Sequence, residues 1–238
     1  CALPISISAS RVLASLTAHA ATPRLSVADV NADGVPDIFI SGAGEHSNTL
    51  LLGKADGSVT ITPHAFDAVE NIVAVAWGDI DNDGLLDAYL CRNGASQLWR
   101  QTQAGEWQDV TAAMGLSAGP GQCADAAMVD ADHDGDVDLF VVARDQHAEI
   151  FNNDRNGAFR RLSSDQPALQ NGAAHARQLL ATDIDGDQDL DLLVINDQPP
   201  HQVLVNDRMW AYHQEPRYAA LEQAPLLALA AADSDADG

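Results

Sequence analysis

Five short words of the sequence place carboxylates at a spacing suited to holding a hard cation. They read DVNADGVPD (Asp29–Asp37), DIDNDGLLD (Asp79–Asp87), DADHDGDVD (Asp130–Asp138), DIDGDQDLD (Asp183–Asp191) and DSDADG (Asp233–Gly238). Successive words begin 50, 51, 53 and 50 residues apart. Each has Asp or Asn at positions 1, 3 and 5, and each of the four complete words ends on Asp at position 9. Gly fills position 6 in three of those four. In the fourth, Gln188 takes that place and Gly186 stands two residues earlier, which makes its geometry the least defined. Together the five words hold 20 of the 35 acidic residues.

Crowded carboxylates repel one another and destabilise a compact chain. A divalent cation such as Ca²⁺ reverses the sign, because it takes roughly 6–8 oxygen ligands from carboxylates, carbonyls and water. Positions 1, 3 and 5 alternate oxygens around a turn, Gly at 6 permits the bend, and position 7 offers a carbonyl. A solvated acidic turn explains one such word, since Asp, Asn and Gly are ordinary turn residues. It does not explain five in register. An EF-hand loop opens in the same way but closes on a bidentate Glu at position 12. Here position 12 is Ile40, Leu90, Val141 or Val194, none of which ligates.

The segments around the words must position them. Short apolar runs precede each word (Leu25–Ala28, Val73–Trp77, Ala126–Val129, Leu179–Thr182, Leu227–Ala231) and follow the complete ones (Ile38–Ile40, Ala88–Leu90, Leu139–Val142, Leu192–Ile195). Such runs read as strands covered on both faces. A third strand is expected at Thr49–Leu52, Gln97–Arg100, Ala148–Asn152 and Gln202–Asn206. A fourth is expected at Ser58–Thr62, Trp107–Thr111, Phe159–Leu162 and, weakly, Trp210–His213, after Gly-, Asp- and Asn-rich turns. Four short antiparallel strands in about 50 residues describe a propeller blade. A two-sheet sandwich also has many short strands but gives no reason for one loop to recur at this period. The chain therefore reads as all-β, a β-propeller of four-stranded blades at about 25–71, 72–122, 123–176 and 177–224, with part of a fifth at 225–238. Residues 1–24 read as a remnant or linker.

The words D-x-[DN]-x-D-G-x-x-D between apolar strands, followed by stretches such as SQLWRQTQAGEWQDVTAAMGL (Ser96–Leu116), resemble FG-GAP/VCBS repeats, the calcium-bearing blades of integrin-α-type propellers. EWQDVTAAMGL is also similar to blades in bacterial relatives of the cartilage acidic protein, which are associated with ASPIC/UnbV regions. The resemblance implies one Ca²⁺ per blade. By position its ligands are Asp29, Asn31, Asp33 and Asp37; Asp79, Asp81, Asp83 and Asp87; Asp130, Asp132, Asp134 and Asp138; and Asp183, Asp185, Asp187 and Asp191. The carbonyls of Val35, Leu85, Asp136 and Asp189 fill position 7, and Asp233, Asp235 and Asp237 begin a fifth site. Asn31 lowers the charge of the first site, so weaker binding is expected there. Family propellers usually have more blades, so the chain is expected to be a fragment.

Composition bounds the partners. The 238 residues carry 35 acidic against 12 basic side chains, a net charge of −23, with a globular 46% of hydrophobic residues. That field disfavours nucleic acid and anionic lipid. The longest apolar run, Leu226–Ala232, is far short of the ~20 residues that span a bilayer. No P-loop, G-x-S-x-G, H-E-x-x-H or paired C-x-x-C motif occurs, so no catalytic residue is assigned. His133 reads as solvent-facing. Trp77, Trp99, Trp107 and Trp210 read first as blade packing and second as sugar-stacking platforms. Cys1 leaves two readings open, a lipoprotein cysteine or the translation of a cloning sequence in Cys1–Ile5. Cys91 and Cys123 then remain, without a framework that pairs them. The expected function is a non-catalytic, calcium-binding, extracytoplasmic binding or adhesion module for a protein or glycan. The alternative is an accessory propeller of a secreted hydrolase or lyase whose catalytic part lies elsewhere.

Overall fold

The computed structural model describes residues 24–42, 48–116, 121–144, 148–162, 168 and 175–231. The expectations for Cys1 and for Asp233, Asp235 and Asp237 lie outside the described residues. The chain divides into two compact units, Cys1–Gly121 and Gln122–Gly238.

In the first unit, β1 (Arg24–Ala28), β2 (Asp37–Ser41), β3 (Thr49–Gly53) and β4 (Val59–Thr62) form one antiparallel sheet in chain order. A second sheet follows in the same order: β5 (Ile72–Gly78), β6 (Asp87–Arg92), β7 (Gln97–Gln103) and β8 (Glu106–Asp109). The second unit repeats the plan. Its sheets are β9 (Cys123–Val129), β10 (Asp138–Ala143), β11 (Glu149–Asn152) and β12 (Arg160–Arg161), then β13 (Ala176–Thr182), β14 (Asp191–Asn196), β15 (Gln202–Asn206) and β16 (Tyr212–Gln214). Each sheet is a four-stranded meander of about 50 residues, the blade of an all-β, propeller-type fold.

Burial explains the sequence pattern. Every residue of β10 (DLFVVA) and β14 (DLLVIN) is buried, so these strands carry no alternation. In the first unit Phe66 is the hub of an aromatic cluster. Its ring centroid lies 4.9 Å from Trp107, 5.6 Å from Trp99, 6.1 Å from Phe39 and 6.4 Å from Trp77. In the second unit Trp210 packs on Phe140 at 6.0 Å, among Val142, Ile150, Leu179 and Leu204. All four tryptophans thus pack within or against cores.

Three expected strands differ. The fourth strand of the last blade starts at Tyr212, because Arg208, Met209 and Trp210 all have positive φ (67°, 53° and 73°) and turn the chain first. Only Arg160–Arg161 pair in the third blade, between buried Phe159 and Leu162. Leu227–Ala231 form no strand, yet Gln178 grips this segment: its Nε2 donates to the Leu229 carbonyl at 2.7 Å and its Oε1 accepts the Leu229 N–H at 3.0 Å. Asp125, at the same place one blade earlier, accepts the N–H of Leu179 at 3.0 Å. Residues around Leu229 therefore sit against β13 as β13 sits against β9.

Candidate metal centres

Each acidic word is the loop between the first two strands of its sheet. The residue before position 1 pairs with position 9 in all four: Ala28 with Asp37, Gly78 with Asp87, Val129 with Asp138, Thr182 with Asp191. The strand pair fixes both ends of the loop, and the side chains inside it close the turn.

Position 9 is buried and ties loop to sheet. Asp37 accepts the N–H of Val30 at 2.9 Å and of Gly53 at 2.8 Å. Asp87 accepts from Ile80 (2.9 Å) and Gln101 (2.8 Å), and Asp138 from Ala131 (3.0 Å) and Asn153 (2.9 Å). Asp191 accepts from Ile184 and Asn206, both at 2.8 Å. Each of these carboxylates thus joins position 2 of its loop to the third strand or the residue just after it. Position 1 caps the turn: Asp29 accepts the N–H groups of Asp33 and Gly34, Asp79 those of Asp83 and Gly84, and Asp183 those of Gly186, Asp187 and Gln188. Asp130 accepts that of Gly135 at 3.1 Å.

Carboxylates of positions 1, 3 and 9 converge. Asp79, Asp81 and Asp87 bring ligand atoms within 4.8 Å of one another, as do Asp130, Asp132 and Asp138, and Asp183, Asp185 and Asp191. The first loop offers Asp29, Asn31 and Asp37 at the same places, with the Asn31 amide turned to Asp33 at 3.0 Å. The position-5 residues Asp33, Asp83, Asp134 and Asp187 stand outside these clusters. Each accepts the N–H of position 7 at 2.9 Å, from Val35, Leu85, Asp136 and Asp189 respectively.

Electrostatics matches a cation site. Burial, and then neighbouring carboxylates, raise Asp37, Asp81, Asp132 and Asp191 above the usual range. Burial drives Asp87 and Asp138 to about 7 despite two backbone donors each. Asp130 Oδ1 and Asp185 Oδ1 are buried without a hydrogen-bond partner. Buried orphan oxygens are costly unless something positive meets them. The donor set, all hard oxygen, suits Ca²⁺.

The fourth loop resolves the irregularity in its word. Position 6 is left-handed in all four loops: Gly34 (φ 83°), Gly84 (89°), Gly135 (89°) and Gln188 (76°). Position 4 is left-handed too, at Ala32, Asn82, His133 and Gly186. The fourth loop has moved its glycine from one left-handed place to the other, with the turn unchanged.

Several partners of the loops were not legible as such. Asp81 pairs with Arg100 at 3.3 Å and Asp185 with Arg217 at 2.7 Å, whereas Asp132 receives neutral donors, Asn152 at 3.1 Å and Trp210. In the second unit position 7 is a buried carboxylate, paired each time with an arginine 19 residues on: Asp136 with Arg155 at 2.6 Å and Asp189 with Arg208 at 3.3 Å. That shared offset was the available signal. His133 is half exposed, as expected, with its Nε2 3.4 Å from Asp189.

The family model for the FG-GAP-like repeat matches residues 29–90, 81–141 and 130–194, each match running from one acidic word through the next. No curated protein matches the chain. Among solved structures the chain is similar to an Agrocybe aegerita lectin, described as recognising non-reducing terminal N-acetylglucosamine. The identity is 18% and the TM-score 0.53, over 82% of this chain and 52% of the lectin. It is also similar to part of the Photorhabdus luminescens Tc holotoxin pore, at 21% identity and a TM-score of 0.44, over 80% of this chain and 9% of that one. The chain thus spans about half of the lectin and a small part of the toxin. With three overlapping matches centred on the loops that organise its sheets, this chain belongs to the FG-GAP-like repeat family.

Proposed function

We propose that the protein is a calcium-stabilised, non-catalytic binding module that works outside the cytoplasm and recognises a protein or glycan. The observation that carries the calcium reading is the threefold convergence of position 1, 3 and 9 carboxylates, with buried orphan oxygens on Asp130 and Asp185. Asp79, Asp81 and Asp87, then Asp130, Asp132 and Asp138, then Asp183, Asp185 and Asp191 would hold the ions, and Asp29, Asn31 and Asp37 a weaker one. A bound ion supplies charge neutralisation and cross-links each loop, so binding and folding are linked. Four ions bring the net charge from −23 to about −15.

Two further features support the setting. Cys91 and Cys123 are both disulfide-bonded, which fits an oxidising compartment. Extracellular calcium modules bind in the range of roughly 10⁻⁴–10⁻³ M, matched to a calcium-rich exterior. Among the described residues no helix is long and apolar enough to cross a membrane. The lectin relative supports a glycan among the candidate ligands. As part of a longer secreted enzyme, the same module would serve as an accessory domain.

Calorimetric titration of the chelator-treated protein with CaCl₂ tests the reading. Saturable binding of several ions is expected, and Asp132→Ala should remove one of them. Absence of any calcium heat would overturn it.

A further inference from the structure

Gln188 stands in a left-handed conformation, φ 76°, where the three sister loops use glycine. A side chain at such a backbone angle costs stability that glycine would not, and such outliers cluster at functional sites. Gln188 lines a cavity of about 280 Å³ within the second unit. Among the described residues its carboxamide has no hydrogen-bond partner, and its backbone N–H serves the loop, on Asp183. The opposite wall comes from the neighbouring loop, through Asp132 and His133. The third side is the turn at Arg208 and Met209, also left-handed. Buried Asp189 forms the joint between these walls, receiving both His133 and Arg208.

The chemistry of the walls restricts the occupant. The volume lies near the low end of the ~300–1,000 Å³ of small-molecule sites. Amide, guanidinium, imidazole and carboxylate groups can each bind hydroxyls, and Met209, three-quarters exposed, offers an apolar face for C–H groups. Asp132, Asp187 and Asp189 face Arg208 in these walls, and calcium in the two flanking loops would offset their excess negative charge, so charge selects neither an anion nor a cation.

We infer that this cavity binds one neutral pyranose ring of a glycan, with Gln188 as its specificity-determining residue. The inference rests on the calcium-bearing binding-module reading and names the ligand class for it.

The test is saturation-transfer NMR and titration of the calcium-loaded protein with methyl glycosides of glucose, galactose, mannose and N-acetylglucosamine. A methyl sialoside and butylamine serve as charged probes. At least one neutral glycoside is expected to bind. Gln188→Gly should weaken it at least tenfold while raising the melting temperature. Met209→Ser should weaken it without altering the melting temperature or the calcium titration. Failure of every neutral glycoside to bind, binding indifferent to Gln188→Gly, or binding of butylamine or the sialoside instead would overturn the inference. A flat calcium titration of the wild-type protein is a separate result and overturns the calcium reading.

Discussion

Arg217 donates to Oδ2 of Asp185 at 2.7 Å, while the other oxygen of the same carboxylate is buried with no hydrogen-bond partner. One half of Asp185 is held from outside and the other half is left for the loop. The guanidinium sits over the Tyr218 ring at 4.8 Å and also pairs with Glu215, so the Pro216–Tyr218 turn fixes its place. A cation so placed offsets part of the charge of the metal-free loop and opposes an incoming ion.

Arg217→Ala is therefore expected to have opposite effects in the two states. In EDTA the melting temperature falls slightly, because Asp185 loses the cation it pairs with. The upward shift on adding calcium becomes larger than in the wild type. Paired thermal melts check this, and an equal calcium shift in both proteins would contradict it.

Positions 5 and 9 are expected to separate cleanly. Asp138→Ala strips the acceptor from two buried N–H groups, of Ala131 and Asn153, and should cost about 3 kcal/mol even without metal. Asp134→Ala removes one part-buried turn bond of an exposed side chain and should cost about 1 kcal/mol. Denaturant unfolding in EDTA measures both. Equal losses would show that Asp138 does not tie loop to sheet.

Proton and calcium should compete at the buried carboxylates. Burial holds Asp87 and Asp138 at about 7, above the ordinary 3.8 of the unfolded chain. A raised folded pKa means the metal-free fold takes up protons, so their stabilising contribution is full below about 3.8 and is lost as pH rises through about 7. Calcium needs the ionised form. Its affinity is therefore expected to strengthen between about pH 5.5 and 8, while these two groups make the EDTA-treated protein less stable over the same interval. Calorimetric titrations across that range check the sign, and a pH-independent affinity would contradict it.

Gly53 tests how closely the first loop meets its third strand. Its N–H binds Asp37 at 2.8 Å, and a Cβ there would lie 2.3 Å from the carbonyl oxygen of Pro36. Gly53→Ala should cost about 2–3 kcal/mol by overpacking, read from chemical unfolding. A neutral substitution would mean that the contact relaxes freely.

What the sequence disclosed, and what it hid, follows from the range of the interactions. The loops were legible because their ligands lie within nine residues, and β10 and β14 because burial on both faces leaves unbroken apolar runs. The blades were legible because the same loop returns every 50 residues or so. The position of Gln188 was ambiguous on paper, since one glycine serves either of two left-handed places and only backbone angles distinguish them. The fourth strand of the last blade was misplaced because three successive left-handed residues have no glycine to announce them. Phe66 lies between two blades and outside every strand, so no periodicity marked it as the hub for Trp99 and Trp107. Arg100, Arg217 and Asn152 reach the loops from 19, 32 and 20 residues away, a distance at which sequence spacing alone says little.

The most direct measurement is the melting temperature of the chelator-treated protein with and without about 5 mM CaCl₂, at constant ionic strength. At that concentration linkage gives about 1–2 kcal/mol of stabilisation per site for dissociation constants of roughly 10⁻³–10⁻⁴ M. A rise of several degrees, reversed by EDTA and reduced in Asp132→Ala, is the predicted result. A melting temperature that calcium leaves unchanged would contradict the claim that these loops are metal centres.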